Sequence, residues 1–286
     1  MSELQIFVTA QNRASGPLKQ VKNELVEVEK AGKSAGQSLQ DIGKGISTVG
    51  LGLTAGITTP LIALGSSFVG LASDYSESAN KIDVVFAGMS DSVKKWSENS
   101  AEALGISQQQ ALEATGSFGN LFKTMGVGLD PATKMSENLV TLASDLASFN
   151  NIDPTVALDK LKSGLVGEAE PLRSLGINID AAAVKTEALA LGFANSEDAL
   201  TPAMLMQARY TLIIKQTTDA QGDFMRTSDG LANSQRIISA EYKDIGKALG
   251  DYLLPYVQTG TQKVKALVTQ FKETSPGTKA WIVGIA

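Results

Sequence analysis

Between Leu18 and Leu53 the apolar and small positions recur at alternating intervals of three and four without a slip: Leu18, Val21, Leu25, Val28, Gly32, Ala35, Leu39, Ile42, Ile46, Val49 and Leu53. That alternation defines an a/d seam and predicts a heptad helix over 17–55, about five heptads long. At 1.5 Å rise per residue it would form a rod of roughly 50 Å. Two packings satisfy such a seam: a helix lying on its own domain, or an intermolecular coiled coil. The regularity favours the second, with Leu18, Val21, Leu25, Val28, Leu39, Ile42, Ile46, Val49 and Leu53 forming the oligomer seam, thinned in the middle by Gly32 and Ala35. Ahead of it, the alternation of Leu4, Ile6 and Val8 predicts a short strand in an N-terminal arm over 1–16, which Ser15-Gly16-Pro17 ends.

Residues 45–73 carry no charge. The run is long enough to span a bilayer, and Gly52 and Gly56 form a GxxxG in which helices can touch. Glycine, serine and threonine dilute its apolarity, and Pro60 interrupts it. A buried hairpin or oligomer core therefore fits better than a resident transmembrane helix, and membrane contact stays open.

From Asp74 the pattern changes to shorter helices with explicit start signals, a module expected over 74–255. Ser90 is expected to cap a helix with Val93, Trp96 and Ser100 on one face, ending at Gly105. Ser107 and Gln110 form a capping box before a seam of Ala111, Thr115, Phe118, Phe122 and Met125, stopped by Gly126. Asp130-Pro131 opens the next helix, with Met135, Leu139, Leu142, Leu146 and Phe149 on one face and Asn150-Asn151 closing it. Asp153-Pro154 and Thr201-Pro202 pair an N-cap oxygen with proline at the first helical position. The first of these helices is expected to end at Gly164 and Gly167, the second to run towards Arg226. Asp180 caps a helix that Gly192 ends. Ser228 is expected to cap the last long helix, with a seam of Ile238, Tyr242, Ile245, Leu249 and Tyr252, and Pro255 to kink or restart it. Residues 256–286 begin a further helical and apolar region, broken at Thr274-Ser275-Pro276-Gly277. Because the sequence stops within apolar residues, it is expected to be the front part of a longer protein.

Composition narrows the chemistry. Aromatics make up 6% of the 286 residues, so thin, closely packed helices are expected. The net charge is −5, with no Lys/Arg-rich run, which argues against specific nucleic-acid binding. The chain has no cysteine and no histidine. Disulfides, Cys/His metal sites and His-dependent nucleophile systems are therefore excluded from this segment. Glu168 and Glu170 form the one suggestive carboxylate pair. With Arg173 three residues beyond Glu170 and no third acid beside them, a plain ion pair is the simpler reading than catalysis or a metal. Gly43-Lys44-Gly45 and Gly32-Lys33-Ser34 lack the spacing of a phosphate loop. No catalytic, cofactor or metal residue is assigned.

One stretch is more specific. Ser163 to Ile179, SGLVGEAEPLRSLGINI, resembles the central signature of the tail tape-measure family of bacteriophages and prophages, on Gly164, Gly167, Glu168, Glu170, Pro171, Leu172, Arg173, Leu175 and Gly176. Ala103–Gly126, Leu142–Asn151 and Asp229–Pro255 are similar to the flanking segments, so the resemblance covers roughly 74–255 in one order. It implies an all-α, elongated protein with a coiled-coil-like N-terminal helix and a compact multi-helix module. It also implies a structural, non-enzymatic virion component without cofactors, which sets tail-tube length, fills the lumen and leaves ahead of the DNA. The implied partners are further copies of the chain (a trimer or higher), tail-tube and tail-tip or baseplate proteins, and tail assembly chaperones. Membrane contact during infection is also implied. Its place would be the tail lumen, and the host cytoplasm during assembly. The competing reading is a membrane-active, pore-forming or envelope-penetrating helical protein.

Overall fold

The computed structural model describes residues 58–273, and every regular element among them is helical. In chain order these are α1 (Thr58–Phe86), α2 (Ser90–Ser97), α3 (Ser100–Leu104), α4 (Gln108–Thr124), α5 (Leu129–Phe149) and α6 (Pro154–Val166). They are followed by α7 (Glu170–Arg173), α8 (Ala181–Ala190), α9 (Pro202–Gln216), α10 (Asp223–Arg226) and α11 (Leu231–Glu273). The all-α expectation is met. The strand at 4–8, the seam from Leu18 to Leu53, the break at Thr274–Gly277 and the apolar tail lie outside the described residues. Two compact units divide the chain, one spanning Leu71–Lys247 and the other holding residues 58–70 and 248–273 of those described.

Local chemistry sets most boundaries. Ser107 and Gln110 form the capping box of α4: the serine Oγ accepts from the Gln110 N–H at 3.3 Å, and the glutamine Oε1 from the Ser107 N–H at 3.2 Å. Asp153, Asp180 and Thr201 cap α6, α8 and α9 through their side-chain oxygens. Asn151 closes α5 in the left-handed region at φ 52, a conformation asparagine tolerates.

Five boundaries differ from expectation. Residues 90–105 form two helices, because Ser97 turns its hydroxyl onto the Lys94 carbonyl at 2.6 Å and Asn99 leaves the helical region. Ser90 is the first residue of α2, not its cap. Helix α5 starts at Leu129 behind Gly128, so Asp130 and Pro131 occupy its first turn, where no backbone N–H is required. Helix α9 ends at Gln216, where the Thr217 hydroxyl and the Gln221 amide take the last carbonyls, and Gly222 at φ 75 turns the chain into α10. Ser228 donates to the Met225 carbonyl, and α11 begins at Leu231. In the smaller unit, α11 passes Pro255 as one helix.

Helix α5 is the axis of the unit Leu71–Lys247. Its buried residues include Ala132, Thr133, Met135, Ser136, Leu139, Val140, Leu142, Ala143, Ser144, Leu146 and Ala147, a broad stripe that leaves Lys134 and Asn138 on an exposed side. So wide a buried stripe lets the helix take neighbours on more than one side. Its hydroxyls avoid the cost of burial by bonding carbonyls: Thr133 to Leu129, Ser136 to Ala132 and Ser144 to Leu104. Helices α4, α6, α8 and α9 complete the core with Phe118, Phe122, Leu161, Leu165, Val184 and Ile213. Phe149, expected on the inner face, is exposed at the last position of α5. A second cluster of Ile82, Val85, Phe86, Val93 and Leu112 joins α1, α2 and α4.

The seam foreseen on α11 faces outward. Ile238 and Ile245 are more than half exposed, as is Tyr252 within the smaller unit. In residues 231–247 the inward side carries Asn233, Arg236, Ala240, Lys243, Asp244 and Lys247. Arg236 donates to the Ile152 carbonyl at 2.9 Å, Asp244 accepts from the Gln108 N–H at 2.9 Å, and Lys247 lies 3.9 Å over the Tyr75 ring. These polar anchors decide which face docks. Among the described residues no helix is long and apolar enough to cross a membrane. The charge-free run enters the described residues at Thr58, inside α1, and its earlier part lies outside them.

Close packing hinges on single glycines. A Cβ on Gly119 would sit 2.1 Å from the fully buried Phe86 ring, whereas one on Gly70 would meet nothing within 4 Å. Gly119→Ala is expected to destabilise, because overpacking at about 1–3 kcal/mol exceeds the helix-propensity gain of about 1 kcal/mol. Gly70→Ala should stabilise by up to about 1 kcal/mol. Urea unfolding of both variants checks the opposite signs.

Candidate functional site

The signature stretch folds as a corner between α6 and α7. Gly167, at φ 107, ends α6 in a Schellman arrangement: its N–H donates to the Gly164 carbonyl at 3.1 Å, and the Glu168 N–H to the Ser163 carbonyl at 3.0 Å. Pro171 occupies the first turn of α7, where its fixed φ suits a helix start. That single turn directs Leu172 inward. Leu172 is fully buried against Gly164, where a Cβ would lie 2.2 Å from its Cδ1. Gly176, at φ 78, then lets the chain fold back: the Ile177 N–H donates to the Leu172 carbonyl at 3.2 Å, and Leu175 and Ile177 enter the core.

The structure therefore brings Gly164, Leu172 and Leu175 together as a packing knot, with Gly167, Pro171 and Gly176 setting the turns. It does not gather the polar members. Glu168, Glu170 and Arg173 are exposed, and among the described residues no ion pair joins Arg173 to either glutamate. Glu170 and Arg173 lie on the solvent side of the single turn whose inward position Leu172 takes, where an ion pair gains little against the entropy of holding two long side chains together. Sequence reasoning passed over Arg209, which reaches from α9 to the Leu165 carbonyl at the end of α6 (3.4 Å). A cation there complements the helix dipole, although burial lowers the guanidinium's pKa.

Two acids hold neighbouring helix starts. Asp145, 6% exposed on α5, accepts from the Gly222 N–H at 2.8 Å and the Phe224 N–H at 3.1 Å, so it fixes the start of α10. Asp244 on α11 does the same for α4 through the Gln108 N–H. Burial pushes both carboxyls above the ordinary value of 3.8, against the pull of these backbone donors. The only signal for Asp145 in the sequence is an acid set between Ser144 and Leu146 in a helix otherwise buried at that level. Beside it, Ser148 donates to Asp223 at 2.6 Å and accepts from the buried Asn233 amide at 2.9 Å, tying α5, α10 and α11 together. Among the described residues no group of three or more acids gathers in metal-binding geometry. The arrangement is one of fastening and capping.

The corner should behave as packing. Leu172→Ala is expected to cost about 2–5 kcal/mol, while Glu168→Gln and Glu170→Gln stay within about 0.5 kcal/mol of the parent by chemical denaturation. Asp145→Ala strands two backbone donors and should cost about 1–3 kcal/mol. The sign with pH follows from the raised carboxyl. The folded state holds its proton more tightly than the unfolded chain, so its contribution to stability grows as pH falls from the raised native value to 3.8 and is constant below. Unfolding free energies of the parent minus Asp145→Asn should therefore increase from neutral pH towards about pH 4.

No protein-family model, curated protein or solved structure matches this chain.

Proposed function

We propose that the chain is the front part of a phage or prophage tail tape-measure protein: a structural, non-enzymatic component of the virion that sets tail-tube length and occupies the tube lumen. The observation that carries this reading is the ordered resemblance from Ala103 to Pro255, centred on the corner at Ser163–Ile179. Two further features support it. Six of the corner's nine signature residues serve packing (Gly164, Leu172, Leu175) or turn formation (Gly167, Pro171, Gly176), as expected of a structural module. The all-α architecture suits a protein whose length is counted in helical residues. On this reading the heptad segment Leu18–Leu53 assembles copies of the chain, tail-tube, tail-tip and chaperone proteins are its partners, and the host cytoplasm is its place before packaging into the virion.

The test is tail length. Deleting four heptads, residues 18–45, from the full-length protein in its phage should shorten tails by about 40 Å at 1.5 Å per residue, measured by electron microscopy of purified particles. Tails of unchanged length would overturn the ruler role. Tails that fail to assemble are resolved by inserting the same four heptads in duplicate, which must lengthen them by a similar amount.

A further inference from the structure

Away from the corner, two adjoining cavities open on the unit Leu71–Lys247. One, of about 610 Å³, is lined by Trp96, Ser100, Leu104 and Thr141 among others. The other, of about 760 Å³, is lined by Glu102, Asp229, Ile237, Ile238 and Glu241 among others. Ala103 and Met225 line both, so they form one groove with Met225 at its middle.

Two properties of this groove point to an occupant. First, its apolar surface is open: Met225 is 73% and Ile238 68% exposed. The apolar row continues along α11 through Leu231, Ile238 and Ile245, spaced seven residues apart, which is about 21 Å of helix. Solvated apolar rows of this kind mark interaction surfaces. Second, its charge has one sign. Glu102, Asp229 and Glu241 line it, and no lysine does. The one lining guanidinium, Arg226, is turned onto the Gln221 and Asp219 carbonyls and the Asp223 carboxylate.

We propose that the groove receives an amphipathic helix of a partner protein, with its apolar stripe on Met225 and Ile238 and its flanking lysines or arginines against Glu102, Asp229 and Glu241. Charge selects this occupant. A second copy docked face to face would set the same carboxylates against one another, in a chain already at −5. An anionic lipid surface would be repelled in the same way. The seven-residue spacing of the row on α11 is the repeat that the apolar stripe of a helix laid alongside it would match. This inference stands apart from the tail reading and does not depend on it.

The experiment uses the whole chain and two fluorescent helical peptides of about 18 residues with the same leucine stripe, one flanked by lysines and one by glutamates. Fluorescence anisotropy at low salt should show the leucine/lysine peptide binding with Kd on the order of micromolar, weakening as salt rises. The triple variant Glu102→Gln/Asp229→Asn/Glu241→Gln should weaken binding by about tenfold or more, as should Ile238→Asp. Neutralising exposed carboxylates elsewhere, Asp130→Asn with Glu197→Gln, should leave it unchanged. Equal binding of the glutamate peptide, or equal loss in the remote variant, would overturn the proposal. So would a chain dimer in sedimentation equilibrium that Ile238→Asp dissolves, because the face would then belong to a second copy. If circular dichroism shows that Ile238→Asp does not fold, the triple variant, whose changes keep side-chain shape, decides alone.

Discussion

The unit Leu71–Lys247 depends on one constraint: α5 buries a broad face against several helices in a chain with few bulky side chains to fill the space. Alanine, serine and threonine on α5 let neighbouring backbones approach, and their hydroxyls are absorbed by carbonyls of the same or an adjacent helix. Where bulk is present, a glycine faces it, as Gly119 faces Phe86 and Gly164 faces Leu172. Packing of this kind is intolerant of a single added methyl, because interiors near crystal density have nowhere to move it. The corner at Ser163–Ile179 is one instance of this rule, and its turn glycines serve that packing.

Around this apolar centre the shorter helices are held by polar fastenings. Asp145 grips the start of α10, Asp244 the start of α4, and Asn233 and Arg236 hold α11 to the end of α5. These contacts fix α11 in the orientation that leaves its isoleucines outward. The exposed row is thus a consequence of which face carries the hydrogen-bonding groups, and the acids beside it give that row a chemical preference.

The helix starts that were legible in the sequence are local: an Asp, Ser or Thr oxygen, joined at Asp153 and Thr201 by a proline at the next position, decides them before any tertiary contact forms. Asp153, Asp180 and Thr201 all act as read. The break after Ser97 was not legible, since a serine hydroxyl can return to its own turn or point elsewhere without any change in pattern. The outer face of α11 was misread for a deeper reason. Periodicity shows that Ile238, Tyr242 and Ile245 share a face, but not what covers it. Likewise the spacing of Glu170 and Arg173 brings them near each other without saying that Leu172 will take the inward direction. Within the signature, Gly164 and Gly167 were legible as a helix end, while the inward role of Leu172 and the capping role of Asp145 depend on neighbours far along the chain.

The fastening of residues 231–247 has a thermal consequence. Apolar burial weakens on cooling, whereas a helix held mainly by hydrogen bonds and a cation over a ring buries little apolar surface. Its detachment therefore carries a small heat-capacity change. The walls that α11 gives the groove therefore depend less on temperature than the apolar centre does.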